Sequence, residues 1–254
     1  MAVGDVNVNI VSPNARAGAF FDGVDDRITT GELGTETDGV PFSISIWVKL
    51  NKSGNGMILT RRCNGVPYRF WELEVDSSYL TRFRLYTAAG TYSNKELEKG
   101  LGDENWHHIV VTYDLTTLSL YVDGSFIDSI AGSTDITGTF LEFGIGSGTS
   151  YLGGVISETS YYLTCLTATQ ASQLYTGDKN IGETPYFFWE LKDDYNDSIR
   201  GKNGTNSGTR LGIFDDAIDA QLESNRVNAN DTFLMCETGS EKQVIISNIH
   251  ESGV

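Results

Sequence analysis

Positive charge is scarce in this sequence: 18 Lys and Arg stand against 34 Asp and Glu, a formal net charge of −16 over 254 residues. So acidic a chain repels phosphate backbones and anionic headgroups, and no segment gathers enough Lys or Arg to reverse this locally. Nucleic acid and membrane surfaces are therefore excluded as main partners. Proline is limited to 4 residues and charged residues to 20%, while 11% are aromatic. That is too much core material for disorder and too little helix-forming charge for a bundle. Three cysteines (Cys63, Cys165, Cys236) are too widely spaced for a metal motif and too few for a closed disulfide framework, so they read as buried thiols. No apolar run approaches the roughly 18 residues that cross a bilayer. The opening MAVGDVNVNIVSPNAR lacks the charged start and apolar stretch of a secretory signal, so neither membrane insertion nor Sec export is expected. What is abundant is glycine, at 28, and the sum reads as a folded, turn-rich, mostly β protein.

Period-2 alternation bears this out. Phe42, Ile44, Ile46, Val48 and Leu50 share one face of a strand whose other face holds Ser43, Ser45, Trp47 and Lys49. Between residues 68 and 87 a hairpin can be set in register by pairing like faces: Leu73 opposite Phe83 and Trp71 opposite Leu85 inside, Glu74 opposite Arg82 and Glu72 opposite Arg84 outside. A slip of one residue would bury the arginines. Asp123-Gly124 predicts a type I′ turn, with Tyr121 facing Phe126 and Leu120 facing Ile127. Thr167-Ala168-Thr169-Gln170 has capping-box spacing and Gly177 a stop signal, predicting one short helix over residues 167–175. A second helix is expected over 216–223.

Taken in order, Phe21-Asp22-Gly23-Val24-Asp25-Asp26, the Phe42 strand, Asn105-Trp106-His107-His108 with the strand that follows, Leu118-Ser119-Leu120-Tyr121-Val122-Asp123-Gly124, Gly153-Gly154-Val155-Ile156-Ser157-Glu158 and the short helix resemble the laminin-G-like, concanavalin A-like lectin/glucanase family. The resemblance implies an all-β fold, an antiparallel two-sheet jelly-roll sandwich with a short helix and a small, mostly β C-terminal extension. Three segments are expected: an N-terminal arm over residues 1–16, the jelly roll over 17–178 and the extension over 179–254. Family members usually carry Asp where this chain has Ser157. They also usually open with a Tyr-Trp-x-Leu strand, whose counterpart stands late here, at Phe187-Phe188-Trp189-Glu190-Leu191 with Asp197-Ser198 and Asn203-Gly204-Thr205. That late strand could complete the jelly roll in permuted order, begin a small second module, or pair with a neighbouring subunit.

Glucan-hydrolysing relatives place two carboxylates about 5 Å apart on one strand face. Glu72, Glu74 and Asp76 share a face, but the pairing with Arg82 and Arg84 favours their ionised forms, the opposite of what a general acid needs. They read as an ion-paired solvated face, with no catalytic residue. His107 and His108 point to opposite faces and cannot ligate one metal together. The resemblance also implies calcium at a rim, where Asp22, Asp25 and Asp26 offer hard oxygen ligands. For sugar stacking, Tyr68, Phe70, Tyr86 and Tyr92 form a candidate aromatic platform. The functional expectation is a non-catalytic structural or adhesive protein of a larger assembly, foremost a virion component of capsid, fibre or tail. Its partners would be other subunits, including copies of itself, and a cell-surface glycan. The alternatives are a lectin-like, calcium-dependent module at a cell surface and a laminarinase-like glycosidase.

Overall fold

In the computed structural model the described residues are 16–51, 56–62, 69–76, 80–85, 97–132, 139–145, 151–214, 232–238 and 241–247. Two compact units result, Ala17–Ile213 and a second built from Met1–Arg16 with Phe214–Val254.

The first unit is a sandwich. One sheet runs in the order β10 (Ser125–Ala131), β9 (Thr117–Val122), β8 (Trp106–Tyr113), β3 (Phe42–Leu50), β12 (Gly153–Tyr162), β1 (Arg16–Asp22), β15 (Arg210–Phe214), with β13 (Phe187–Trp189) also on β12. The other runs β14 (Gly204–Ser207), β2 (Arg27–Thr30), β11 (Phe140–Phe143), β4 (Gly56–Arg62), β5 (Arg69–Val75), β6 (Leu80–Leu85), β7 (Leu97–Gly100). Alternation decides what lies between them: Phe42, Ile44, Ile46 and Val48 from β3 meet Leu59, Trp71, Leu73 and Phe83 from the second sheet, all without solvent exposure. Phe42 ties the layers, stacking on Trp71 at 5.8 Å and on Tyr161 at 5.7 Å.

The β5–β6 register is the expected one, with Trp71 opposite Leu85, Glu72 opposite Arg84, Leu73 opposite Phe83 and Glu74 opposite Arg82. The Asp123-Gly124 turn has both residues at positive φ, 49° and 73°, as a type I′ turn requires, and Tyr121 faces Phe126. One partner differs: a bulge between Phe126 and Asp128 puts Asp128, not Ile127, opposite Leu120. The helix α1 (Ala168–Tyr175) carries the full capping box on Thr167 and Gln170. It lies on the outward side of the first sheet, where Ala171 joins Val110, Tyr121, Tyr162, Leu166 and Ile181 in a second apolar cluster.

The late segment is woven into the same sandwich. β12 carries two neighbours along one side: β1 pairs with its first half, Gly153 to Ile156, and β13 with its second, Thr159 to Tyr161. The changeover is a bulge around Glu158, whose φ is 38° and whose N–H donates to the Glu190 carbonyl. Ser157, where the family usually has Asp, is buried and donates its hydroxyl to the Ala17 carbonyl on β1. β14 then pairs with β2 in the opposite sheet. The buried Asp197 carboxylate sets the turn between, accepting from the N–H groups of Phe188, Ile199, Arg200 and Lys202.

The second unit contains a hairpin of β16 (Thr232–Thr238) and β17 (Glu241–Ser247). The helix expected over 216–223 lies outside the described residues. Of the cysteines expected to be buried, Cys165 is a half-buried free thiol; Cys63 falls outside the described residues, and Cys236 sits on β16.

Candidate functional site

Three places bring polar or aromatic side chains together. The first is the outward face of the second sheet. The arginines of β6 engage carboxylates on and just after β5, reaching diagonal neighbours: Arg84 Nη1 lies 2.7 Å from Glu74 Oε1 and Arg82 Nη2 lies 2.6 Å from Asp76 Oδ2. The sequence pairs them straight across. Long side chains on a twisted pair reach the diagonal neighbour as readily, which accounts for the shift by one step. Glu72 is fully buried, as is Thr60 beside it, so this face is covered at its centre instead of solvated as the sequence suggests. Glu142 continues the row and pairs with Arg62.

The second is the turn between β1 and β2. Asp22, Asp25 and Asp26 bring one carboxylate oxygen each to within 4.8 Å of one another, Asp22 and Asp25 exposed and Asp26 buried. Asp26 Oδ2 accepts from the Asp22 N–H at 2.8 Å, and Asp22 Oδ1 from the Val24 N–H at 2.8 Å. Burial pushes the Asp26 carboxyl above its usual range, against the Asp22 N–H, and the Asp22 and Asp25 charges push the same way. A convergent set of hard, mutually repelling oxygens suits a divalent cation such as calcium.

The third is the outward side of the first sheet. His107 and His108 do point to opposite sides: His108 shares the outward side with Trp47, and His107 lies on the other, opposite Val48. His107 is held between carboxylates, Nδ1 at 2.8 Å from Asp123 Oδ2 and Nε2 at 2.9 Å from Asp103 Oδ1. Burial opposes its charge, but the two carboxylates together outweigh this and raise its pKa. His108 Nε2 meets Ser45 Oγ at 2.8 Å. Trp47, out of place on a polar strand face when read in sequence, is explained by α1: its ring packs at 4.9 Å from His108 and 5.8 Å from Tyr175. Next to it Phe126 stands edge-on to Tyr121 at 5.6 Å. This aromatic group, and the His107 clamp on the other side of the strand, are not foreseen from the sequence; the Tyr121–Phe126 pairing across the Asp123-Gly124 turn is the available signal.

The expected platform is not placed by the structure: Tyr68, Tyr86 and Tyr92 lie outside the described residues, and Phe70 is on β5. Among the described residues no helix is long and apolar enough to cross a membrane.

A family model described as the concanavalin A-like lectin/glucanases superfamily matches residues 22–172. No curated protein matches the chain. Among solved structures, a Bacteroides ovatus protein assigned as carbohydrate-binding superposes with a TM-score of 0.59 at 16% identity, over 79% of this chain and 61% of its own. A heptameric SAP-like pentraxin from Limulus polyphemus gives 0.55 at 15% identity, over 80% and 97%. The binding domain of botulinum neurotoxin DC, solved in complex with SialylT, gives 0.53 at 15% identity, over 70% and 45%. The chain thus spans about three-fifths of the first of these and under half of the third.

Proposed function

The chain belongs to the concanavalin A-like lectin/glucanase superfamily, and from that membership we propose that it acts by binding, as a non-catalytic adhesive jelly roll that takes glycans and serves within a larger assembly. The observation that carries the proposal is the state of the β5 carboxylates: Glu74 and Asp76 are engaged by Arg84 and Arg82, and Glu72 is buried. Carboxylates engaged by guanidinium groups or shut away from solvent do not offer what glycoside hydrolysis needs, an acid beside a free nucleophile, both facing an open cleft. Calcium, implied by the family resemblance, would be held by Asp22, Asp25 and Asp26, as a charge-neutralising tie within the rim.

A virion setting is supported by the sequence character, an acidic, turn-rich β chain, and it implies self-association, which sedimentation across a hundredfold concentration range tests. A glycan array with and without chelator, run beside hydrolysis assays on β-1,3- and β-1,4-glucans, tests the rest. Expected are binding without turnover, and Glu74→Gln with binding unchanged. Hydrolysis lost on Glu72→Gln or Glu74→Gln would make the protein an enzyme, and absence of binding to every glycan would remove the adhesive role.

A further inference from the structure

Where a glycan would bind is open in the preceding proposal, since the described part of the second sheet's outward face is closed by ion pairs and burial. The outward side of the first sheet offers the alternative. Among the described residues two aromatic side chains are exposed, Phe126 at 54% and Tyr175 at 39%, and both adjoin the same turn. The Asp123-Gly124 turn lies so close to α1 that a Cβ on Gly124 would come within 3.1 Å of Tyr175 Cδ1 and 3.2 Å of Ser172 Cα; Phe126 follows two residues later. We infer that Phe126 and Tyr175 form a stacking platform for a neutral pyranose.

Three features make this a built surface. Each ring is backed by another aromatic: Tyr175 is stacked on Trp47 at 24° and lies 6.3 Å from the His108 ring, while Phe126 is braced edge-on by the largely buried Tyr121. Rings already immobilised lose little freedom on binding, and their faces suit the C–H faces of a sugar. The turn they adjoin is fixed from behind, because Asp123 accepts the His108 N–H at 2.9 Å and the His107 ring at 2.8 Å. Third, the turn itself supplies an acceptor for sugar hydroxyls, the Asp123 carboxylate, whose side chain is 33% exposed. That carboxylate, on a chain of net charge −16, opposes sialylated or sulfated glycans, so charge complementarity selects a neutral one.

The inference rests on the glycan-binding reading, and the test separates the two. Full-length protein is titrated with laminaripentaose, maltopentaose and triacetylchitotriose, alongside a broad array of neutral glycans. Phe126→Ala, with an unchanged thermal midpoint, and Tyr175→Ala, which also uncovers Trp47 and is titrated well below its own midpoint, are expected to weaken binding about tenfold, and Tyr175→Phe, which keeps the ring, to retain it. Binding by wild type that survives both alanine variants overturns the platform while leaving the adhesive reading intact. Absence of neutral-glycan binding by wild type overturns the platform, and absence of binding to any glycan, charged ones included, overturns both. Phe126→Ala guards against misreading Tyr175→Ala, because Phe126 is mostly exposed and its loss leaves the core untouched.

Discussion

His107 shows how much one side chain can hold. A neutral imidazole has a single N–H, so with a carboxylate at each ring nitrogen only the imidazolium donates to both. Its pKa is raised in the folded chain, despite burial, by Asp123 and Asp103. A raised histidine contributes stability that is full below its unfolded value, near 6.5, and lost as pH rises through the folded value. Against burial, Asp123 is lowered by the His107 ring and the His108 N–H, and Asp103 by the Asn105 side chain, the His107 ring and the Asn105 N–H. Their share is present above the unfolded value of about 4 and lost as pH falls through the folded one. The clamp is thus strongest between roughly pH 4 and 6.5. His107→Gln should lower stability by about 1 to 2 kcal/mol near pH 5.5 and by much less at pH 8.5; thermal melts at the two values check it, and equal losses at both would refute the charged clamp. Asp26 runs the other way. Its carboxyl is raised by burial first and by Asp22 and Asp25 next, so its ionisation costs stability above its unfolded pKa, and the cost vanishes in acid. Asp26→Asn, which keeps an acceptor for the Asp22 N–H, should raise the melting midpoint at pH 7 and change little at pH 3. Added calcium should raise the wild-type midpoint and leave the variant unmoved. Because a Cβ on Gly208, at φ 92°, would overlap Asp26 Oδ1, Gly208→Ala is expected to destabilise at any pH.

At the scale of elements, β13 carries the sharpest expectation. Trp189 is fully buried, packs against Phe143 at 5.9 Å and Phe187 at 5.5 Å, and donates its indole N–H to the Lys202 carbonyl at 2.9 Å. Trp189→Ala should cost about 3 to 5 kcal/mol, seen as a loss of cooperative unfolding in denaturant, whereas a strand of a detached appendage would leave the main transition in place. The β5–β6 register was legible in the sequence because charge and apolar faces could be satisfied in one alignment alone, and α1 because its capping box is local. The partner of Phe187–Trp189 was not legible: strand pairing between residues so distant is set by which edge of β12 stays open after β1 ends, and that depends on the bulge at Glu158. The diagonal reach of Arg82 and Arg84 was hidden for a related reason, since sheet twist acts after register is chosen. Trp47 looked misplaced until α1 covered it, a tertiary fact that no strand pattern records.

Over the whole molecule the excess of acid is the dominant long-range property. A net charge of −16 gives a negative potential around the sandwich that extends about 10 Å at 0.1 M salt and about 3 Å at 1 M. An approaching neutral oligosaccharide feels none of this, while a sialylated one is repelled before any contact forms. Salt should therefore leave the affinity for a neutral glycan nearly constant and improve that for its sialylated counterpart, so the ratio between them shrinks as salt rises from 20 mM to 500 mM. Calorimetry or surface plasmon resonance with a matched pair of glycans, differing only in the terminal sialic acid, reads this directly. A ratio independent of salt would mean that selection comes from close contacts in the site and not from the field of the molecule. A ratio that grows with salt would mean that a local positive group, such as the His107 imidazolium behind the turn, outweighs the field of the whole molecule. The second outcome can be told apart from the first by repeating the series with His107→Gln, which removes that charge and leaves the field of the remaining carboxylates in place.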